Sequence, residues 1–411
     1  MKNFRAALLA LFLILWIAPR QTAAQITPEQ EKQLFSRVDE VFRQVSDIMG
    51  MKIRHPVPRA VITREKIRDY INQRMKEVLP PEEIRAQEIV LMKFGFVGPD
   101  FDLKAQTLDL LTEQAAAFYD FKQKKLYLAS WTPSSMQDIA LVHELSHALA
   151  DQHFKLEKFI DKSGNDDDAS TARGAVVEGQ ASWVMTEYML RQAGQSLKDS
   201  PKLAESTAGL TAEGAKEFPV FGAAPLYMQV TMMFPYTEGM LFQQAVVQKL
   251  GAAAFAEVFR HPPVSSQQII HPDQYFARTV PAKPALPTAS LPSGCKKLME
   301  GTMGELDFQI LLRQFSSEQE AQRLAPRWRG SRYALWENKK EKRDVLLYSV
   351  QWADEADAAR YFADYKKAAA KKWKQLRFDA DQARSASGSG DDGHFEWRLQ
   401  GPVFTATEGL P

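Results

Sequence analysis

Apolar residues recur at helical spacing through most of the first 260 positions. In residues 27–49, Leu34, Val38, Val41, Phe42 and Val45 share one face, and Pro56 and Pro58 close the stretch. A short strand is predicted at 60–63, helices at 64–78 and 82–92, and a turn at 95–99. Two aromatic-rich runs, 115–121 and 125–129, flank a Lys/Gln break and predict a hairpin. Residues 134–160 contain neither proline nor glycine, and Ile139, Val142, Leu145 and Leu149 make a core-facing stripe. This predicts one helix to Ile160, started by Thr132-Pro133-Ser134-Ser135 with Ser135 and Asp138 in a capping box. After a polar loop at 161–168, Ser170 is expected to cap a helix over 171–193 that Gly194 ends. Residues 196–222 are weakly helical. Buried helices follow at 226–234 and 236–250 around Pro235, then at 251–259, and Ser265-Ser266 is expected to cap a short helix ending at His271-Pro272.

The pattern changes after residue 279. Residues 280–297 are rich in Pro, Ala and Ser and read as a linker. Beyond them, helices at 304–315, 317–324 and 354–373 alternate with strands at 333–336, 344–352, 394–398 and 403–406, and a Gly/Ser turn is expected at 387–390. Lys366, Lys367, Lys371, Lys372 and Lys374 are read as a solvated face. The chain is therefore expected to be α+β: a mostly helical domain over 25–279 with a small edge sheet, and a smaller α+β domain over 298–411.

Composition narrows the classes. With 411 residues there is chain enough for two or three cored domains. Fifty-two basic against 51 acidic residues leave a net charge of +1, which argues against a dedicated nucleic-acid binder. Residues 1–24 have the form of a secretory signal. Lys2 and Arg5 precede an apolar run over 6–18 that is short for a membrane span, and Thr22-Ala23-Ala24 suits cleavage. The expectation is export to a bacterial periplasm or exterior, with no stable membrane insertion once the signal is removed. The one cysteine, Cys295, excludes an internal disulfide.

The chemistry concentrates in His143-Glu144-Leu-Ser-His147. On a helix, His143 and His147 at i,i+4 lie one turn apart on one face and can grip one metal ion, and Glu144 can reach a water on it. Such sites take a third protein ligand and leave a fourth position open. The favoured third ligand is Glu178, which shares a helical face with Ala175, Ala181, Ser182 and Met185. A carboxylate on so small and apolar a face needs a partner. The rival is His153, which completes His-Glu-x-x-His-x-x-x-x-x-His but has Ala150 where a sharp turn wants glycine. On a continuing helix His153 lies about 9 Å beyond His147 along the axis, out of reach of the same ion. Tyr236, His271 and Tyr275 are three candidate donors to an oxyanion, and the sequence selects none of them. The acidic run Asp166-Asp167-Asp168 reads as a solvated loop, with Ca²⁺ binding the weaker alternative.

The motif, followed by a glutamate on a later helix, resembles the gluzincin (thermolysin-like) zinc peptidases. Together with Ala-Arg-Gly-Ala-Val-Val-Glu178-Gly-Gln-Ala and Ile-Ile-His271-Pro-Asp-Gln-Tyr275, it more closely resembles a group of exported bacterial and archaeal metallopeptidases. The resemblance covers about residues 110–276. It implies a zincin-like domain holding Zn²⁺ through His143, His147 and Glu178, with Glu144 as general base and a peptide or protein as substrate. One strand of the hairpin would pair with that substrate. Two departures stand out. The gap from His147 to Glu178 is long, and Ser182 occupies the position of the carboxylate that orients a ligand histidine; the acidic run at 166–168 is a candidate replacement. The alternative reading is a catalytically inactive scaffold of the same fold that binds peptides or envelope components.

Overall fold

The computed structural model describes residues 28–78, 80–114, 117–131, 134–164 and 166–411. The signal segment at 1–24 and the Thr132-Pro133 part of the helix-start signal lie outside the described residues. No helix among those described is long and apolar enough to cross a membrane.

The first part is mostly helical. Helix α1 (Pro28–Met49) is followed by strand β1 (Arg59–Ile62), then α2 (Arg64–Val78), α3 (Pro81–Phe94) and α4 (Leu103–Gln114). The hairpin forms as β2 (Ala117–Asp120) and β3 (Lys125–Ala129). Its turn is held by the Asp120 carboxylate, which accepts from the Lys122 and Gln123 amides. β1 pairs in parallel with β3, so the sheet order is β1-β3-β2. β3 is therefore interior, and of the two hairpin strands only β2 presents an edge.

Helix α5 (Ser134–Phe154) carries the His-Glu-x-x-His, and its leucines and alanines are buried. It departs from expectation at both ends. It begins at Ser134, so Ser135 lies inside it, and the Asp138 carboxylate pairs with Arg37 of α1 rather than closing a capping box. It also stops before Ile160. Lys155 takes a left-handed conformation at φ 56°, and a separate α6 (Leu156–Asp161) follows. The break needs no glycine because the Asp151 carboxylate accepts from the freed Leu156 amide at 2.9 Å.

Helix α7 (Asp167–Gln192) starts earlier than expected, capped by Asp166, which accepts from the Ala169 amide, and not by Ser170. Asp167 and Asp168 are buried in its first turn, so the acidic run is no solvated loop. Next come α8 (Pro201–Ala215), α9 (Pro219–Ala223), α10 (Leu226–Met233) and α11 (Glu238–Leu250). The series ends with α12 (Ala254–Arg260), α13 (Ser266–Ile270) and α14 (Pro272–Phe276). α7 and α11 cross at van der Waals contact of their backbones. A Cβ on Gly179 would lie 2.1 Å from Gly239, and one on Gly239 would lie 2.4 Å from the Ala175 carbonyl oxygen. The small-residue face of α7 exists to allow this crossing.

The second part is a seven-stranded antiparallel sheet in the order β4-β5-β6-β10-β9-β8-β7. Its elements are β4 (Lys296–Gly301), α15 (Glu305–Phe315), α16 (Glu318–Leu324), β5 (Trp328–Asn338), β6 (Arg343–Trp352), α17 (Glu355–Lys372), β7 (Arg377–Asp381), β8 (Ser385–Gly390), β9 (Gly393–Gln400) and β10 (Val403–Leu410). The expected Gly/Ser turn at 387–390 is strand β8. Its glycines are there for close approach. A Cβ on Gly388 would meet the Arg377 carbonyl at 2.0 Å, and one on Gly390 would meet the Trp373 ring at 2.5 Å. The lysines of α17 are not simply solvated: Lys371 donates to the Phe315 carbonyl, and Lys372 reaches both the Lys93 carbonyl and Glu408.

Candidate metal centre

The site is assembled where α5, α7, β2 and the α10–α11 turn meet. On α5 the i,i+4 spacing brings the His143 and His147 rings to a centroid separation of 4.7 Å. Ligand-type atoms of His143, Glu144 and His147 lie within 4.8 Å of one another, in a group that could hold a metal ion. All three residues are buried. α7 crosses this face and delivers Glu178, itself 1% exposed. The Glu178 Oε2 lies 3.0 Å from His143 Nε2, and its Oε1 lies 3.4 Å from His147 Nε2. Two ring nitrogens and a carboxylate thus converge on one point. The structure therefore brings His143, Glu144, His147 and Glu178 together.

His153 is not among them. It is still on α5, and its Nε2 hydrogen-bonds the Lys52 carbonyl at 2.8 Å. Of the three oxyanion candidates, Tyr236 alone is at this centre. Its ring stacks on His143 at 6.1 Å, and its hydroxyl bonds the Glu178 carboxylate. His271 Nε2 instead pairs with Glu305 of α15 at 2.8 Å. The Tyr275 hydroxyl donates to the His261 carbonyl at 2.9 Å. The Gly179–Gly239 crossing explains the difference, because it fixes the start of α11 and the preceding Tyr236 directly beside Glu178.

The acidic run does not supply the missing orienting carboxylate. Asp168 accepts from the Ser266 amide at 2.9 Å and Asp167 from the Tyr333 hydroxyl at 2.5 Å. Both sit about ten residues before Glu178, roughly 15 Å back along the helix. Asp167 fastens α7 to the second part of the chain, and Asp168 fastens it to α13.

The two buried glutamates differ in their electrostatics. Burial opposes ionisation of Glu178, but His147 and His143 overcome it and bring the carboxyl down to about 2. Burial pushes Glu144 up to about 8, and the nearby Glu178 charge adds to this; His143 and the Tyr119 amide pull the other way. Burial and then Glu178 push the Tyr236 hydroxyl well above its usual range, so it is a proton-bearing donor.

Glu144 is held by one oxygen. Its Oε2 accepts from the Tyr119 amide of β2 at 2.6 Å, and its Oε1 has no hydrogen-bond partner among the described residues. Sequence reasoning missed Tyr119. Only the alternation of an edge strand pointed to it, and alternation does not say which amide faces the helix.

A family model described as a domain of unknown function (DUF8575) matches residues 295–409. The match covers the sheet-containing second part and none of the residues of this site. No curated protein matches the chain, and no solved structure does.

Proposed function

We propose that this chain is an exported zinc-dependent peptidase of the gluzincin type. The observation that carries the reading is the convergence of His143 Nε2, His147 Nε2 and the Glu178 carboxylate on one buried point, with the unpartnered Oε1 of Glu144 beside it. Two imidazole nitrogens and one carboxylate are a donor set that would suit zinc and leave room for a water. A buried carboxylate without a matching cation is costly, and a divalent ion supplies the match.

His143, His147 and Glu178 would hold the ion. When bound, zinc supplies a Lewis acid and a water that is nucleophilic near neutral pH. Glu144 takes the proton from the attacking water on Oε1 and passes it to the leaving amine. The Tyr236 hydroxyl donates to the oxygen of the scissile carbonyl as charge develops there. β2 does not offer an extended peptide a free edge, because its four residues are buried and its Tyr119 amide is held by Glu144. Export rests on residues 1–24 and predicts recovery of the chain outside the cytoplasm.

The test is Glu144→Gln in the full chain. Bound zinc should remain at one per chain, and hydrolysis of a broad peptide library should fall by about 10²–10⁴-fold. Undiminished hydrolysis in this variant would refute the mechanism. A zinc-loaded wild type that cleaves no peptide would favour the binding scaffold.

A further inference from the structure

Asp151 lies on α5 seven residues beyond Glu144, two turns along and on the same face. It is 4% exposed, and it does more than close the helix break. Its Oδ2 accepts from the Tyr119 hydroxyl at 3.1 Å and from Lys124 Nζ at 2.7 Å. Its Oδ1 accepts from the Leu156 amide. Tyr119 is thus bound to α5 at two points: its backbone amide to Glu144 and its side chain to Asp151. Lys124 closes the hairpin turn in a left-handed conformation at φ 55°, so the same carboxylate also ties down the turn that joins β2 to β3.

We propose that Asp151, acting through Tyr119, is a positioning residue for Glu144. The amide of an edge strand can hold a carboxylate in one orientation only if the strand cannot slide along the helix. β2 has only four residues, and its pairing with β3 leaves the Tyr119 amide on the outer side, towards α5. The Asp151–Tyr119 bond sets the height of the strand on the helix. The strand occupies one oxygen of Glu144 and leaves the other for proton transfer. Loss of the bond lets β2 shift and Glu144 rotate, while His143, His147 and Glu178, which sit on α5 and α7, stay where they are.

This inference rests on the peptidase reading, and its test separates the two. The experiment uses the full zinc-loaded chain with Tyr119→Phe and Asp151→Asn. Both variants should keep one zinc per chain and a KM within about twofold of wild type. Their kcat should fall at least tenfold, since a displacement near 1 Å is worth about 10²-fold. With tyrosine ¹⁵N-labelled, the Tyr119 amide is identified by its absence in Tyr119→Phe. Its proton should resonate far downfield in wild type and move upfield in both Asp151→Asn and Glu144→Gln. If Asp151→Asn leaves that resonance unmoved, or Tyr119→Phe leaves kcat at the wild-type value, the proposal is overturned. If the wild type hydrolyses nothing, the peptidase reading fails, and the resonance still decides whether Asp151 positions Glu144. Tyr119→Phe removes one hydroxyl from a buried ring, so it remains informative even if Asp151→Asn unfolds.

Discussion

Two regions of this molecule bury glutamates, and they treat them differently. In the sheet-containing second part Glu408 is 0% exposed. Its Oε1 accepts from the Tyr365 hydroxyl at 2.7 Å and the Trp397 indole at 3.1 Å, and its Oε2 pairs with Lys372 at 2.9 Å. The charge is matched and both oxygens are satisfied within the chain. At the helical site Glu144 and Glu178 are as deeply buried, yet among the described residues Glu178 is paired with two imidazoles and no lysine or arginine, and Glu144 keeps an unpartnered oxygen. A fully satisfied buried carboxylate holds a fold together. One whose satisfaction depends on something from outside the chain marks a place where chemistry can happen.

The comparison can be broken by substitution. Glu178→Ala has the largest expected effect: metal analysis should show most of the zinc gone, with the seven-stranded sheet intact. Retained zinc in this variant would remove Glu178 from the ligand set. Glu408→Ala should do the opposite, leaving zinc content unchanged and destabilising the chain by about 3–5 kcal/mol in urea unfolding, because Lys372 loses its buried counter-charge.

Asp168 sharpens the contrast. It is buried between the two parts of the chain, accepts from Ser266, and has one oxygen without a partner among the described residues. Burial, with Asp166 adding to it, pushes its carboxyl up to about 8 from 3.8. In the folded chain it keeps its proton while the unfolded chain loses its own. Its contribution is therefore fully present below the unfolded value and is lost as pH rises from about 4 to about 8. Thermal unfolding should show this loss across that window, and Asp168→Asn should flatten it. The smallest effect belongs to His153→Ala. It removes one hydrogen bond to Lys52, worth about 1 kcal/mol, and should leave zinc at one per chain. Loss of zinc in that variant would favour His153 over Glu178 as the third ligand.

Much of the site was legible before the structure. His143, Glu144 and His147 follow from a local rule, since i,i+4 on a helix puts two rings together whatever surrounds them. Glu178 was legible as a charge on a face otherwise fit only for close packing. Other features had no local signal. Lys155 breaks α5 although neither proline nor glycine is present, because a side chain one turn earlier accepts the freed amide. Residues 387–390 look like a turn by composition but lie in strand β8, because the neighbouring strand and Trp373 need the space that glycine leaves. Asp166–Asp168 look solvated, yet two of these aspartates are buried against residues 98 and 166 positions further along the chain.

By itself, then, the sequence determined the α+β class, the helix with its two histidines and base, and the residue types able to complete a metal site. These depend on periodicity and on spacing within one element. Tertiary structure alone decided which of Tyr236, His271 and Tyr275 stands beside Glu178, which hairpin strand has an edge against α5, and which amide holds Glu144. Each of these depends on how two elements distant in sequence approach each other. That approach is set by packing, above all by Gly179 against Gly239, and no pattern within either segment encodes its partner.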